Sequence, residues 1–219
     1  MAQKKIVKSV SKLHFLITAG GTREYIDPVR FISNASSGKM GYALAQAAIK
    51  AGHKVTLITA PTFLKPPKKV KLVEVITADE IFAAVKKHFK NCNCLIMAAA
   101  VSDYTPAKVS KTKIKKADKD LVIKLKPTAD ILKWAGKNKK ASQVVVGFAL
   151  EDKNLRANAE KKLKSKNLDI IIANSPSAIG ADNTTVYIKQ KSQDWLSLQK
   201  ADKSYIAKKI ISLLCQGLP

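Results

Sequence analysis

Residues Ile17–Gly41 read ITAGGTREYIDPVRFISNASSGKMG, and this stretch decides the fold. It starts as a strand and ends as a helix. His14 to Thr18 is a short apolar run of strand type, Gly20-Gly21 lets the backbone turn sharply, and from Lys39 to Ala51 the residues Met40, Ala43, Leu44, Ala47 and Ala48 recur at helical spacing. Ser36, Ser37 and Gly38 then fall at the helix start, where unpaired N–H groups and the positive end of the helix dipole favour an anion. A strand, a glycine turn and a Ser/Gly-opened helix together point to phosphate binding.

Two familiar phosphate loops do not fit. A Walker A loop aligns only through Gly38-Lys39, which puts Ser33 where glycine is required and Met40 where Ser/Thr holds magnesium. A nicotinamide-type G-x-G-x-x-G fails because Gly21 and Gly38 are too far apart and no acid near Thr59 can take a ribose hydroxyl. The long connection also carries Arg23, Glu24, Asp27, Arg30 and Asn34, more polar groups than a simple link needs. Although the chain is lysine-rich, only Arg23, Arg30 and Arg156 are arginine, so two of its three forked donors fall in this loop. Either carboxylate or phosphate geometry is met there, or the arginines pair with Glu24 and Asp27.

Farther on, Lys54–Thr59 reads as a second strand and Val70–Ile76 as a third. Thr77 and Glu80 form a capping box for a helix running to about Lys90. Cys94–Val101 is a continuous apolar run, the pattern of a strand buried on both faces of a parallel sheet. Ligands bind beyond the carboxyl ends of such strands, so Ala98, Ala99, Ala100 and Asp103 should lie beside Gly20-Gly21. Lys108–Asp120 reads as a mobile basic loop, densest at Lys113-Ile114-Lys115-Lys116, and by composition alone a solvated charge run. Leu121–Lys126 alternates as a strand, and Thr128 can cap a helix over Ala129–Lys137. Val144–Leu150 is another buried strand, on which Phe148 can stack on a base or serve as core. A helix over Leu155–Ser165, a strand over Leu168–Asn174, an antiparallel pair at Thr184–Lys189 and Trp195–Leu198, and a final amphipathic helix complete the chain. The expected fold is a three-layer α/β domain with a Rossmann-like, mainly parallel sheet and a short antiparallel extension, in one domain over 1–219 with 1–12 as a flexible lead.

The net charge of +24 prompts a nucleic-acid reading. Lysines are scattered, however, except for twelve between Lys108 and Lys140, and no nucleic-acid-binding motif accompanies them. Such a patch attracts any polyanion, including a nucleoside triphosphate. No apolar run is long enough to span a membrane, and the N-terminus lacks the apolar core of a signal peptide. Cys92, Cys94 and Cys215 form neither a disulfide framework nor a zinc pattern, which places the chain in the cytoplasm as reduced thiols.

The Ile17–Gly41 loop, MAAAVSDYTP (97–106) followed by KIKK (113–116), and VGFALE (146–151) followed by NLDIIIANS (167–175) resemble phosphopantothenoylcysteine synthetase, the ligase of coenzyme A biosynthesis. The resemblance runs from about Leu16 to Lys200. It implies ligation of 4′-phosphopantothenate to cysteine through an acyl-nucleotide, driven by CTP or ATP with Mg2+, in a homodimer. A flavin-dependent decarboxylase would be a separate or fused partner, with no flavin in this chain. It also implies that Lys113 reaches the nucleotide phosphates, that Asn34 serves the second step, and that Lys162 and Lys166 contact nucleotide. With these we group Arg30 as a holder of the acyl phosphate and, for the nucleotide, Gly20, Gly21, Ser36 to Lys39, Ala98 to Ala100, Asp103, Ala129 to Leu132 and Phe148. Relatives read KNPDI where this chain has KPTADI, so Ala129 departs at a backbone-contact position while Asp130 and Ile131 match. The other reading is a polyanion- or nucleic-acid-binding protein that keeps a nucleotide fold without catalysis.

Overall fold

A computed structural model describes residues 12–217, so most of the 1–12 lead lies outside the described residues. Along the chain run β1 (His14–Ala19), β2 (Arg23–Tyr25), β3 (Phe31–Ser33), α1 (Lys39–Lys50), β4 (Lys54–Thr59), β5 (Lys71–Glu74), α2 (Ala78–Phe89) and β6 (Cys94–Met97). There follow β7 (Tyr104–Pro106), β8 (Leu125–Pro127), α3 (Ile131–Asn138), β9 (Val144–Leu150), α4 (Leu155–Ser165), β10 (Ile170–Asn174), a 3₁₀ turn (Pro176–Ala178), β11 (Asn183–Gln190), β12 (Leu196–Asp202) and α5 (Lys203–Gly217).

Eight strands form one sheet in the order β12-β11-β10-β9-β6-β1-β4-β5. From β5 to β10 every pairing is parallel, and β11 and β12 add the antiparallel extension. Period-two alternation explains the layers: Phe15 and Ile17 face the core beneath α1 and α5, whereas Leu16 faces the core beneath α2, α3 and α4. Full burial of each such side chain contributes about 1.5–3 kcal/mol. Chain order reverses between β1 and β6, since β4 and β5 lie to one side of that junction and β9 and β10 to the other. A crevice therefore opens beyond the carboxyl ends of β1 and β6, at Gly20-Gly21 and Ala98–Ala100.

Several expected boundaries move for local reasons. The strand read to Val101 ends at Met97, because the Ala99 N–H turns to Thr18 Oγ1 (3.1 Å) and the Ala100 N–H to the Gly20 carbonyl (2.8 Å). Of Leu121–Lys126 only the end pairs, in β8 against β7, leaving Leu121 and Val122 exposed. Thr128 is not the cap of α3: its hydroxyl donates to Ser102 O (2.6 Å), and Asp130 caps the helix by accepting the Lys133 N–H (2.9 Å). Thr77 caps α2 as read, but Glu80 takes the Ile76 N–H (2.7 Å) in place of that of Thr77.

Candidate active site

The Gly20-Gly21 turn brings the two halves of the crevice together. Gly20 has φ +82°, and a Cβ there would lie 2.6 Å from the Ala60 carbonyl oxygen, so only glycine fits. Its carbonyl and the Thr22 N–H bond the two sides of Ala100, forming a bridge between Gly21 and Ala100. Gly38, with φ +75°, is the N-cap of α1 and packs against Gly20 and Thr62. Ser36 and Ser37 hydroxyls reach the Gly38 and Lys39 N–H groups only at 3.4 and 3.5 Å. These two N–H groups are held only loosely by side chains and lie at the positive end of the α1 dipole, where an anion is favoured.

On the other side of Ala99 lies a cavity of about 510 Å³, within the range of small-molecule sites. It is walled by Met97 at the end of β6 and Ala99, Val101, Asp103 and Tyr104 beyond it, by Pro127 to Leu132 leading into α3, by Phe148 and Ile171 from the sheet, by Lys162 of α4 and by Lys166 just past its end. Ala99, Asp103, Ala129, Asp130, Ile131, Leu132, Phe148, Lys162 and Lys166 thus converge as the sequence suggests. Lys162 Nζ is 2.5 Å from Glu151 Oε1, and Lys166 Nζ is 3.0 Å from Asp130 Oδ2. An anionic ligand would share these ammonium groups with the acids.

Other expected residues stand elsewhere. Ala98 packs into the α1 side of the core and Ala100 acts through its backbone, so neither lines the cavity. Gly20, Gly21 and Ser36 to Gly38 form the adjoining turn instead of the cavity wall. The Lys39 side chain leaves the crevice to pair with Asp182 (2.7 Å), whose carboxyl it holds below the usual range, so only its backbone N–H faces the loop. Asn34 is exposed, with Nδ2 3.3 Å from both Ala100 O and Val101 O. It therefore stands over the junction between turn and cavity.

Arg30 and Asp27 form the densest polar cluster. Asp27, fully covered, accepts the Val29 and Arg30 N–H groups on Oδ1 (2.9 and 2.8 Å) and the Ile114 N–H on Oδ2 (3.1 Å). The Arg30 side chain donates to the same Oδ2 through Nε (3.0 Å) and Nη2. Its hydrogen bond holds the Asp27 carboxyl well below the usual carboxylate range, and the three N–H groups add to the effect. Arg30 Nη2 also donates to Ile114 O (2.9 Å). The ion pair with Asp27 is thus formed, and it leaves Nη1 of the same side chain without an acceptor among the described residues. Arg23 instead stacks on Phe31, 4.7 Å from the ring centre, and Glu24 accepts the Ala78 N–H (2.8 Å) at the start of α2. Lys113 stands beside the Ile114 anchor, in the exposed loop and outside the cavity wall.

Sequence reading missed Met97, Val101, Tyr104, Pro127, Thr128 and Ile171 as cavity wall, and missed Asp27 as a hub. The position of Tyr104, directly after Asp103 at a strand end, was the available signal for that residue. Asp27-Pro28 signalled a tight turn, but nothing local announced a partner at Ile114.

Residues 10–218 match the family described as DNA/pantothenate metabolism flavoprotein C-terminal domain. The chain is 44% identical over 201 residues to the coenzyme A biosynthesis bifunctional protein CoaBC of Borreliella burgdorferi, covering 91% of this chain and 51% of that protein. It is 43% identical over 216 residues to a protein named cysteine/cysteine sulfinic acid decarboxylase from an unknown prokaryotic organism, covering 96% of this chain and 60% of that one. The chain thus spans about half the length of the curated relatives it matches. Among solved structures, the C-terminal domain of a CoaBC protein superposes with TM-score 0.81 at 38% identity, over 94% of this chain and 95% of that one. The family match over residues 10–218, the identity to the CoaBC protein and the near-complete structural coverage establish that the chain belongs to the DNA/pantothenate metabolism flavoprotein C-terminal domain family.

Proposed function

We propose that the protein joins 4′-phosphopantothenate to cysteine, spending a nucleoside triphosphate, CTP in preference to ATP, through an acyl-nucleotide intermediate. The observation that carries this reading is the cavity beyond β6 and β9, which meets the anion-accepting turn after β1 at Ala100. A carboxylate is a poor acyl donor because its charge repels an amine. Attack of the acid on the α-phosphate expels pyrophosphate and leaves a mixed anhydride, from which the amine displaces the nucleoside monophosphate. The chain's task is to position two anions and to stabilise the charge that develops.

In this reading the base and ribose lie against Phe148 and Leu132, with Lys162 and Lys166 near phosphate. The Gly38 and Lys39 N–H groups receive phosphate at the start of α1. Lys113 offsets charge on the transferring phosphate, Arg30 offers Nη1 to the acyl phosphate, and Asn34 donates to the oxyanion of the second step. No group of three or more His, Cys, Asp or Glu side chains that could hold a metal exists among the described residues. Mg2+ would therefore be carried chiefly by the nucleotide phosphates, as is usual for this ion, and no step is assigned to it.

A homodimer is supported by exposed apolar side chains gathered on β2–β3, on β7–β8 and in the segment between β7 and β8: Val29, Phe31, Tyr104, Val109, Leu121, Val122 and Leu125. Such a patch suits a second copy of the chain. A flavin-dependent decarboxylase, separate or fused, would supply the rest of the relatives' length. Because the chain covers only 60% of the relative named a decarboxylase, that name need not describe the shared part. No helix among the described residues is long and apolar enough to cross a membrane, and the free thiols suit a cytoplasmic setting.

The deciding experiment supplies CTP or ATP with phosphopantothenate and omits cysteine. Pyrophosphate release dependent on the acid is expected. Tight binding of RNA or DNA with no pyrophosphate release would favour the noncatalytic polyanion reading instead.

A further inference from the structure

The lysine loop between β7 and β8 is long, basic and almost wholly exposed, so burial does little to hold it. Its neck is closed by the Ala107 N–H donating to Lys124 O (2.9 Å), and Ser110 bonds within the loop to Thr112 O (2.6 Å). Among the described residues, every hydrogen bond that leaves 107–124 for the rest of the protein ends on the β2–β3 turn. The Ser110 N–H donates to Ile26 O (2.9 Å), the Ile114 N–H to Asp27 Oδ2 (3.1 Å), and Arg30 Nη2 donates to Ile114 O (2.9 Å). Two of the three depend on Asp27, either directly or because Asp27 fixes the Arg30 guanidinium.

We propose that Asp27 is a positioning residue: a clasp that docks the lysine loop on the β2–β3 turn and thereby sets the place of Lys113. A carboxylate is suited to this, since its two oxygens accept from the turn, from the arginine and from the loop at once, and hydrogen bonds to a charged acceptor are stronger than neutral ones. Loss of the charge leaves Arg30 without its fixed partner and the loop with one backbone bond to Ile26. The place of Lys113 matters to turnover only if the synthetase reading holds, and this part of the inference rests on that reading.

Trypsin supplies the direct test, because the loop carries its own cleavage sites from Lys108 to Lys119. Asp27→Asn and Ile114→Pro, which removes the N–H donated to Asp27, should each accelerate cleavage at Lys108, Lys111, Lys115, Lys116 and Lys119 at least about tenfold, without accelerating cleavage at lysines of α3 to α5; Lys113 is left out of the comparison because trypsin does not cut a Lys-Pro bond. Because Ile114 lies in the exposed loop, Ile114→Pro carries the test even if Asp27→Asn does not fold. Acid-dependent pyrophosphate release should fall on the order of tenfold in rate while the KM for nucleotide stays within about threefold, since misplacement of a catalytic group costs rate. Unchanged loop cleavage in the folded variants would overturn the clasp. Faster loop cleavage with an unchanged pyrophosphate rate, or with a loss wholly in KM, would overturn the positioning role. If the unaltered protein releases no pyrophosphate, the synthetase reading fails, while the cleavage comparison still decides whether Asp27 holds the loop.

Discussion

Lys39 Nζ and Asp182 Oδ1 lie 2.7 Å apart, tying the start of α1 to the turn before β11 across 143 positions of sequence. A lysine that its motif places at a helix start read as an anion site thereby has its ammonium group paired with Asp182. Lys39→Ala should raise the KM for nucleotide by less than about threefold, because an exposed pair contributes about 0–1 kcal/mol and the backbone N–H is kept. Steady-state kinetics at varied nucleotide check this; a rise of a hundredfold would return the ammonium to the phosphate site.

Gly20 makes the opposite case, where backbone and not charge decides. With φ +82° and the Ala60 carbonyl oxygen 2.6 Å from any Cβ, Gly20→Ala must move one strand end against another. We expect a loss of about 2 kcal/mol or more in urea unfolding, together with loss of nucleotide binding by calorimetry. Full binding by a stable Gly20→Ala protein would remove the tight turn from the site.

These two residues also mark where a sequence can be read and where it cannot. β9 was legible to its last residue because a strand covered on both faces writes a continuous apolar run bounded by polar or turn residues, and β4 because its β-branched KVTLIT run is bracketed by Gly52 and Pro61. The end of β6 was not, since Ala98 to Val101 stay apolar while the backbone is diverted by Thr18 and Gly20, which lie about 80 positions earlier. The same holds in the site. Phe148 was legible as cavity wall from its buried strand, and Asp130 and Lys166 through the family resemblance, whereas the Lys39–Asp182 and Asp27–Ile114 contacts are set by tertiary approach and leave no periodic trace.

The Asp27 carboxyl, held below the usual range chiefly by Arg30, makes stability depend on acid in a definite direction. Its contribution is fully present above the unfolded value of about 3.8 and is lost as the pH falls toward the depressed folded value. The difference in urea midpoint between the unaltered protein and Asp27→Asn should therefore be largest near about pH 6 and shrink steadily below about pH 4. A difference that stays constant over this range would mean that shape, not charge, is what the substitution removes.

Lys113 and Lys115 flank the Ile114 anchor and are both exposed, so only the proposed role at the phosphates, which the resemblance gives to Lys113, tells them apart. Lys113→Gln should slow pyrophosphate release at least about tenfold, as expected for a charge placed on a transferring phosphate, and Lys115→Gln much less. Parallel pre-steady-state measurements separate them. Equal, small effects would make the whole run a solvated basic face.

Asn34 is the sharpest test of the two-step chemistry. Its Nδ2 rests 3.3 Å from the carbonyl oxygens of Ala100 and Val101, long contacts that a substrate oxyanion can replace. Asn34→Asp is nearly neutral in size, yet it exchanges the donor for a carboxylate. If Asn34 acts after the nucleotide has joined the acid, the variant should still release pyrophosphate but stall when cysteine must attack. The acyl-nucleotide should then accumulate, with the second step slowed on the order of 10²–10³, the usual cost of losing one such donor. If Asn34 only braces the loop against the β6 exit, its carboxylate would repel the same two carbonyl oxygens before any substrate arrives. Both half-reactions would then weaken together and the melting temperature would fall. Mass spectrometry of the quenched reaction with and without cysteine, read beside a thermal melt, distinguishes these outcomes, and unimpaired turnover would remove Asn34 from the mechanism.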